Sequence, residues 1–185
     1  MASIAGGSLI SFATESVQPE VDLAALAETY SRLLFRVAHA VLRNRAEAED
    51  VIQDVFLRVI ERHRSLPAIR DMRVWLVRIT WNLALDRRRR IRPEQMDESF
   101  AESLAVSGIP ADERLAHVQR MKAVLREMER LPRAERHVLM LSAIEELGTA
   151  EMAQVVGRSE SAVRALLFRA RTRLRERLEA RGGER

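Results

Sequence analysis

Val163, Leu166, Leu167, Ala170, Leu174 and Leu178 recur at intervals of three and four residues, the spacing that aligns side chains along one stripe of an α-helix. Such a stripe must pack against something. Arg164, Arg169, Arg171, Arg173, Arg175 and Arg177 fall mostly outside it, so the opposite face is expected to be strongly positive. Ser159 is a candidate N-cap for this helix. Upstream, Thr149 to Val156 gives a short helical pattern with Met152, Ala153 and Val156 facing inward, and Gly157 is the expected C-terminal stop. Gly157, Arg158 and Ser159 would form the turn. Two helices joined by a short glycine-containing turn form the pattern that lays its second helix in the major groove of DNA. An arginine-rich helix can also be only a solvated face. The short helix before the turn favours the helix-turn-helix over Leu131 to Leu178.

A chain of 185 residues, 47% of them hydrophobic, fits two small domains better than one large one. The absence of cysteine excludes disulfides, thiolate metal sites and cysteine nucleophiles, and suits the cytoplasm. His39, His63, His117 and His137 never fall at the i, i+4 spacing of a helical metal pair. No metal or cofactor is therefore expected. There is also no phosphate-binding loop and no nucleophile beside a base, so an enzyme is not expected. The first 20 residues lack a basic start and any run long enough to span a membrane. They read as a flexible extension without membrane insertion.

The distribution of charge says more than the net +4. From Arg70 to Arg92, eight arginines stand against Asp71 and Asp86. From Pro93 to Glu113 there are six acids and no base, with Ser99, Ser103, Ser107, Gly108 and Pro110 interspersed. That stretch reads as an acidic linker between two helical halves. From Arg158 to Arg185, nine arginines oppose four glutamates. Two basic regions thus flank an acidic connector.

The first half is helical by pattern as well. Leu23, Leu26, Tyr30, Leu33, Leu34, Val37 and Val41 keep a helical period, as do Ala48, Val51, Ile52, Val55, Phe56 and Ile60. A third helix carries Met72, Trp75, Leu76, Ile79 and Leu83, and the three predict a small bundle. Glu49, Asp50, Gln53 and Asp54 gather away from the apolar stripe of the second helix. They could receive a basic partner, or form a solvated face with a pair such as Asp54 to Arg58. Trp75 and Trp81 stand among arginines, a combination suited to stacking unpaired bases. Trp75 lies on the apolar stripe and Trp81 off it, so Trp75 is expected to be the more buried.

Two motif sets now carry a resemblance. Ala48-Glu49-Asp50-Val51-Ile52-Gln53-Asp54-Val55-Phe56, then Trp75 through Asn82 and Asp86 with its arginine run, resemble region 2 of sigma factors. Leu131-Pro132, Glu135-Arg136, Glu151-Met152-Ala153 and Val163-Arg164 to Phe168-Arg169-Ala170-Arg171 resemble region 4. Together they are similar to the extracytoplasmic-function group of the sigma-70 family. The resemblance implies an all-α fold of two helical domains: an extension over 1–20, region 2 over 21–92, the acidic linker over 93–112 and region 4 over 113–185. It implies that Asp50, Gln53 and Asp54 dock on bacterial RNA polymerase core. Trp75, Arg78, Asn82, Arg87 and Arg88 would hold the minus-ten element, with the Ser65 to Arg70 loop accepting a flipped base. Arg158, Ser161, Val163, Arg164, Phe168 and Arg169 would read the minus-thirty-five element of promoter DNA. An anti-sigma factor is the further partner implied.

Ser161-Ala162 stands where many relatives carry Gly-Thr, and Leu166 stands where many carry a polar or basic residue. A promoter sequence therefore cannot be transferred from them. Two other readings use the same residues. A stand-alone helix-turn-helix regulator accounts for 131–178 but leaves the first 90 residues unexplained. A sigma mimic that sequesters an anti-sigma factor accounts for the fold but predicts a weakened DNA face, which the retained arginines oppose.

Overall fold

The structure, a computed structural model, describes residues 22–62, 66, 68–90, 111–144 and 147–182. The expected extension over 1–20, positions 93–110 of the expected linker, and Ser65 and Pro67 of the loop lie outside the described residues.

Seven α-helices make up the described residues. Helix α1 (Leu23–Leu42) starts where the Asp22 carboxylate accepts from the N–H groups of Ala24 and Ala25, at 2.9 and 3.0 Å. It stops at Arg43, whose φ of 50° turns the chain into the left-handed region. Asn44 then caps α2 (Arg45–Glu61) by accepting from Glu47 N–H, so two helices follow one another with almost no loop. Asp71 caps α3 (Met72–Arg88) in the same way through Val74 N–H. Leu34, Val37 and Val41 of α1 meet Val51 and Val55 of α2 and Leu76 and Val77 of α3 in a fully buried core. The expected three-helix bundle is present.

The second half holds α4 (Ala111–Glu129), α5 (Arg133–Ser142), α6 (Thr149–Val156) and α7 (Glu160–Gly182). Helix α4 begins two residues inside the expected connector. Helix α7 packs on α4, α5 and α6, with Val138, Leu141, Met152, Val163, Leu167 and Ala170 buried between them. The turn between α6 and α7 is built as anticipated. Gly157 ends α6 at φ 66°, a conformation that disfavours any residue with a Cβ. The Ser159 hydroxyl accepts from Ala162 N–H at 3.2 Å.

The two halves pack against each other. Helix α6 lies on α3, α5 approaches α1, and the Trp81 ring meets His137 of α5 edge-on at 5.3 Å. This contact reverses the expectation for the tryptophans. Trp81 is 2% exposed, whereas Trp75 is half-buried. Helix α3 is covered by α1, α2 and α6, so its buried residues (Val74, Leu76, Val77, Thr80, Trp81, Ala84) spread beyond one stripe. On α2, Val59 is buried and Ile60 is 49% exposed, so that stripe turns inward one residue before the anticipated position.

Candidate nucleic-acid interface

The first site lies where α2 passes α3. Asp50, Gln53 and Asp54 face outward on α2, and the Arg87 guanidinium reaches across from α3. Arg87 donates to Asp50 at 2.7 Å, to Glu47 at a short distance, and more loosely to Asp54 at 3.4 Å. Its pKa is raised, first by the Glu47 hydrogen bond and then by the charges of Glu47, Asp50 and Asp54, which together outweigh burial. The carboxylates and Arg87, expected to serve different partners, thus share one network. Asp54 faces Arg87 rather than closing a pair with Arg58 along its own helix. Leu57 continues the outward face of α2 at 56% exposure, with Ile60 beyond it. Sequence periodicity missed this apolar extension because it assigned Ile60 to the core.

Arg78 and Asn82 are exposed along α3, with Trp75 half-buried beside them. Arg88 is differently placed. It donates to the Val41 carbonyl at 2.8 Å and to the Glu129 carboxylate at 2.7 Å, so it looks into the seam between the halves.

The second site is the start of α7. Arg158, Ser161 and Arg164 are exposed around the turn, and Phe168 stands 73% exposed one turn further on. Glu160 accepts from both Thr149, at 2.9 Å, and Arg164, at 2.5 Å, which holds Arg164 beside the turn. Val163 is fully buried. It has no surface with which to meet DNA, and the sequence-based assignment is corrected on that point: the side chain seats α7 in its domain.

The arginines of α7 divide into two groups. Arg173 donates to both oxygens of buried Glu135, at 2.9 and 3.1 Å, and Arg169 lies 3.6 Å from the same carboxylate. Arg177 and Arg181 approach buried Glu127 at 3.8 and 3.4 Å. Positions 169, 173, 177 and 181 form an i, i+4 ladder that ties α7 to α4 and α5. The anticipated uniformly positive face is therefore partly neutralised from within. Arg171 and Arg175 remain on the outward side together with Phe168 and Arg164, where they line a shallow cleft of about 500 Å³.

Glu129 is the centre of the seam. Arg43, just past the end of α1, and Arg88 of α3 each reach it at 2.7 Å, and Arg136 of α5 lies at 3.4 Å. Burial pushes the carboxyl upward, but the hydrogen bond and charge of Arg88, with the charges of Arg43 and Arg136, hold it below its ordinary value. His137 of α5 lines a cleft with Arg88, Arg89, Arg133 and Arg136. Its pKa is lowered to about 4, first by burial and then by Arg133, Arg136, Arg88 and Arg89. A second link joins α3 to α6, where Arg73 donates to Glu151 at 2.6 Å.

A family model for sigma-70 region 2 matches residues 26–94, and one for sigma-70 region 4 matches 121–174. SigM of Mycobacterium tuberculosis, an extracytoplasmic-function RNA polymerase sigma factor, is 31% identical over 155 residues, covering 80% of this chain and 73% of that protein. The chain belongs to the extracytoplasmic-function group of the sigma-70 family. The probable RNA polymerase sigma factor RfaY of Xanthomonas campestris pv. campestris is 36% identical over 147 residues, which is 77% of this chain. The chain spans 36% of that relative's length. Among solved structures, CnrH in complex with the cytosolic domain of CnrY aligns with a TM-score of 0.62 at 25% identity, over 85% of this chain and 88% of the matched one.

The region 2 match therefore takes in nearly all of α1 and the whole of α2 and α3, and the region 4 match takes in the second half of α4, all of α5 and α6, and α7 as far as Leu174. Among the described residues no helix is long and apolar enough to cross a membrane.

Proposed function

We propose that this protein is a dissociable initiation factor that binds RNA polymerase core, directs it to promoters through the minus-ten and minus-thirty-five elements, and helps open the duplex. The observation that carries this reading is the pairing, in one chain, of an outward carboxylate face on α2 with a helix-turn-helix whose second helix begins in exposed arginine, serine and phenylalanine. A stand-alone operator-binding protein has no use for the first.

Each surface suits its task. Asp50, Gln53 and Asp54 present acceptors beside the apolar side chain of Leu57, the mixture expected where a basic helical element of polymerase docks. Docking would draw the carboxylates toward the partner's cations and loosen their hold on Arg87. On α3, Arg78 and Asn82 can meet phosphates and base edges of separated strands, and Trp75 offers a ring edge for stacking. At α7, Arg158, Ser161, Arg164 and Phe168 would enter the major groove, with Arg169 following where it can leave Glu135. Catalysis belongs to the polymerase, no cofactor is needed, and the place of action is the bacterial cytoplasm. An anti-sigma factor is the regulator that membership of the group implies.

Replacing Asp50 and Asp54 together by lysine in the full chain tests the docking surface. Affinity for polymerase core, measured by fluorescence titration, is expected to fall at least tenfold, while non-specific duplex DNA binding is retained. Undiminished affinity for core would remove these residues from the interface.

A further inference from the structure

Where α3 ends and α5 begins, the surface holds a recess of about 310 Å³, at the small end of the range for small-molecule sites. Arg88 and Arg89 come to it from the end of α3, and Arg133, Arg136 and His137 from the first turns of α5. Leu85 and buried Met140 complete it, and among the described residues no carboxylate lines it.

Four guanidiniums brought this close repel one another. Glu129 offsets part of the repulsion from outside the lining, accepting from Arg88 at 2.7 Å and lying 3.4 Å from Arg136. Arg89 has Asp86 at 3.2 Å, an exposed i, i+3 pair of little strength. Arg133 is exposed and has no ion pair among the described residues. Four lining guanidiniums therefore share two carboxylates, one of which also serves Arg43. His137 registers the resulting field, its pKa pushed down to about 4 by burial first and then by the four arginines. At neutral pH the uncharged ring can donate one N–H without adding to the charge. The backbone contributes in the same sense. Pro132 gives α5 no side-chain cap, so no side-chain oxygen occupies the N–H groups at the start of that helix. The carboxyl end of α3 brings the opposite partial charge, about half an elementary charge, which Arg88 and Arg89 outweigh.

We propose that this recess binds the phosphate chain of a small molecule, a di- or triphosphate. Arg88 and Arg136, fixed by Glu129, form its rigid floor, and the exposed Arg89 and Arg133 close over the chain. Guanidinium forks match phosphate oxygens in pairs, and two or three linked phosphates supply enough oxygens for several forks at once. Nucleic acid carries one phosphate per nucleotide along an extended backbone, so it sets fewer charges in a recess of this size. Binding of this kind requires neither polymerase nor promoter and stands apart from the proposed function.

Calorimetric titration of the full chain with inorganic triphosphate tests the site. One equivalent is expected to bind and to raise the melting temperature. R133Q and R89Q alter exposed side chains away from the core, and each should weaken triphosphate binding about tenfold, the loss of one charge-assisted hydrogen bond. R120Q, at an exposed position of α4 outside the recess, should bind as the parent does. ATP in the same titration separates the sources: affinity above that of triphosphate identifies a nucleotide, and equal affinity identifies the phosphate chain alone. Absence of binding, or parental affinity in both folded R133Q and R89Q, overturns the site. So does an equal loss in R120Q, which would mark diffuse attraction to a basic surface. A mixed-sequence single-stranded oligonucleotide that binds more tightly than triphosphate and is weakened by the same two substitutions would assign the recess to nucleic acid instead.

Discussion

Glu135 decides which arginines of α7 are available to DNA. It is 4% exposed and receives Arg173 through both oxygens, so that guanidinium supplies its hydrogen bonds while Arg169 adds a looser charge contact at 3.6 Å. Glu135→Ala leaves Arg173 without its acceptors at the edge of the core. Stability measured by urea unfolding should fall by about 1–3 kcal/mol, and an unchanged midpoint would show that the pair is ornamental. The sequence gives Arg173 and Arg164 the same appearance, since both lie off the apolar stripe. Their separation depends on two buried glutamates contributed by other helices, which periodicity along α7 cannot register. The same limit explains the tryptophans. Trp75 sits on an apolar stripe and Trp81 does not, yet Trp81 is enclosed because His137 arrives from the second half.

At the scale of elements, legibility followed local chemistry. Helix α6 could be bounded from residues alone because Gly157 supplies the left-handed stop and Ser159 starts the next helix. Helix α3 could be located but its faces could not be assigned, because three helices cover it. Helix α2 shows the functional side of this limit. Its outward face carries Leu57 in the open beside Gln53 and Asp54, where folding alone gives an apolar residue little to do. Leu57→Ala should change folding stability by no more than about 0.5 kcal/mol and should still weaken affinity for polymerase core in the same fluorescence titration. A loss of stability with affinity intact would return Leu57 to a structural role.

At the scale of the whole molecule, the seam makes closure sensitive to acid. The His137 pKa is lowered from 6.5 to about 4, so the neutral ring contributes stability that is fully present above pH 6.5 and is lost as pH falls from 6.5 toward 4. The groups facing it are Arg88, Arg89 and Trp81 from α3 and Arg133 and Arg136 from its own helix. Glu129, held below its ordinary 4.5, adds a contribution present above that value and lost as pH falls through its depressed pKa. Both act in one direction. Thermal melting should be level near neutrality and decline below pH 6.5, and His137→Gln should flatten the upper part of that decline. A parent curve unchanged down to pH 4 would contradict this. None of it was legible in the linear sequence, which shows two halves and a connector but not that the halves meet.

The proposed function has one chain supply both promoter recognition and attachment to polymerase. Purified core polymerase transcribing a genomic fragment library, with and without the protein, tests it most directly through mapped RNA 5′ ends. Discrete new starts that share two upstream sequence elements are expected. A set of starts identical to that of core alone, despite measurable binding to core, would contradict it.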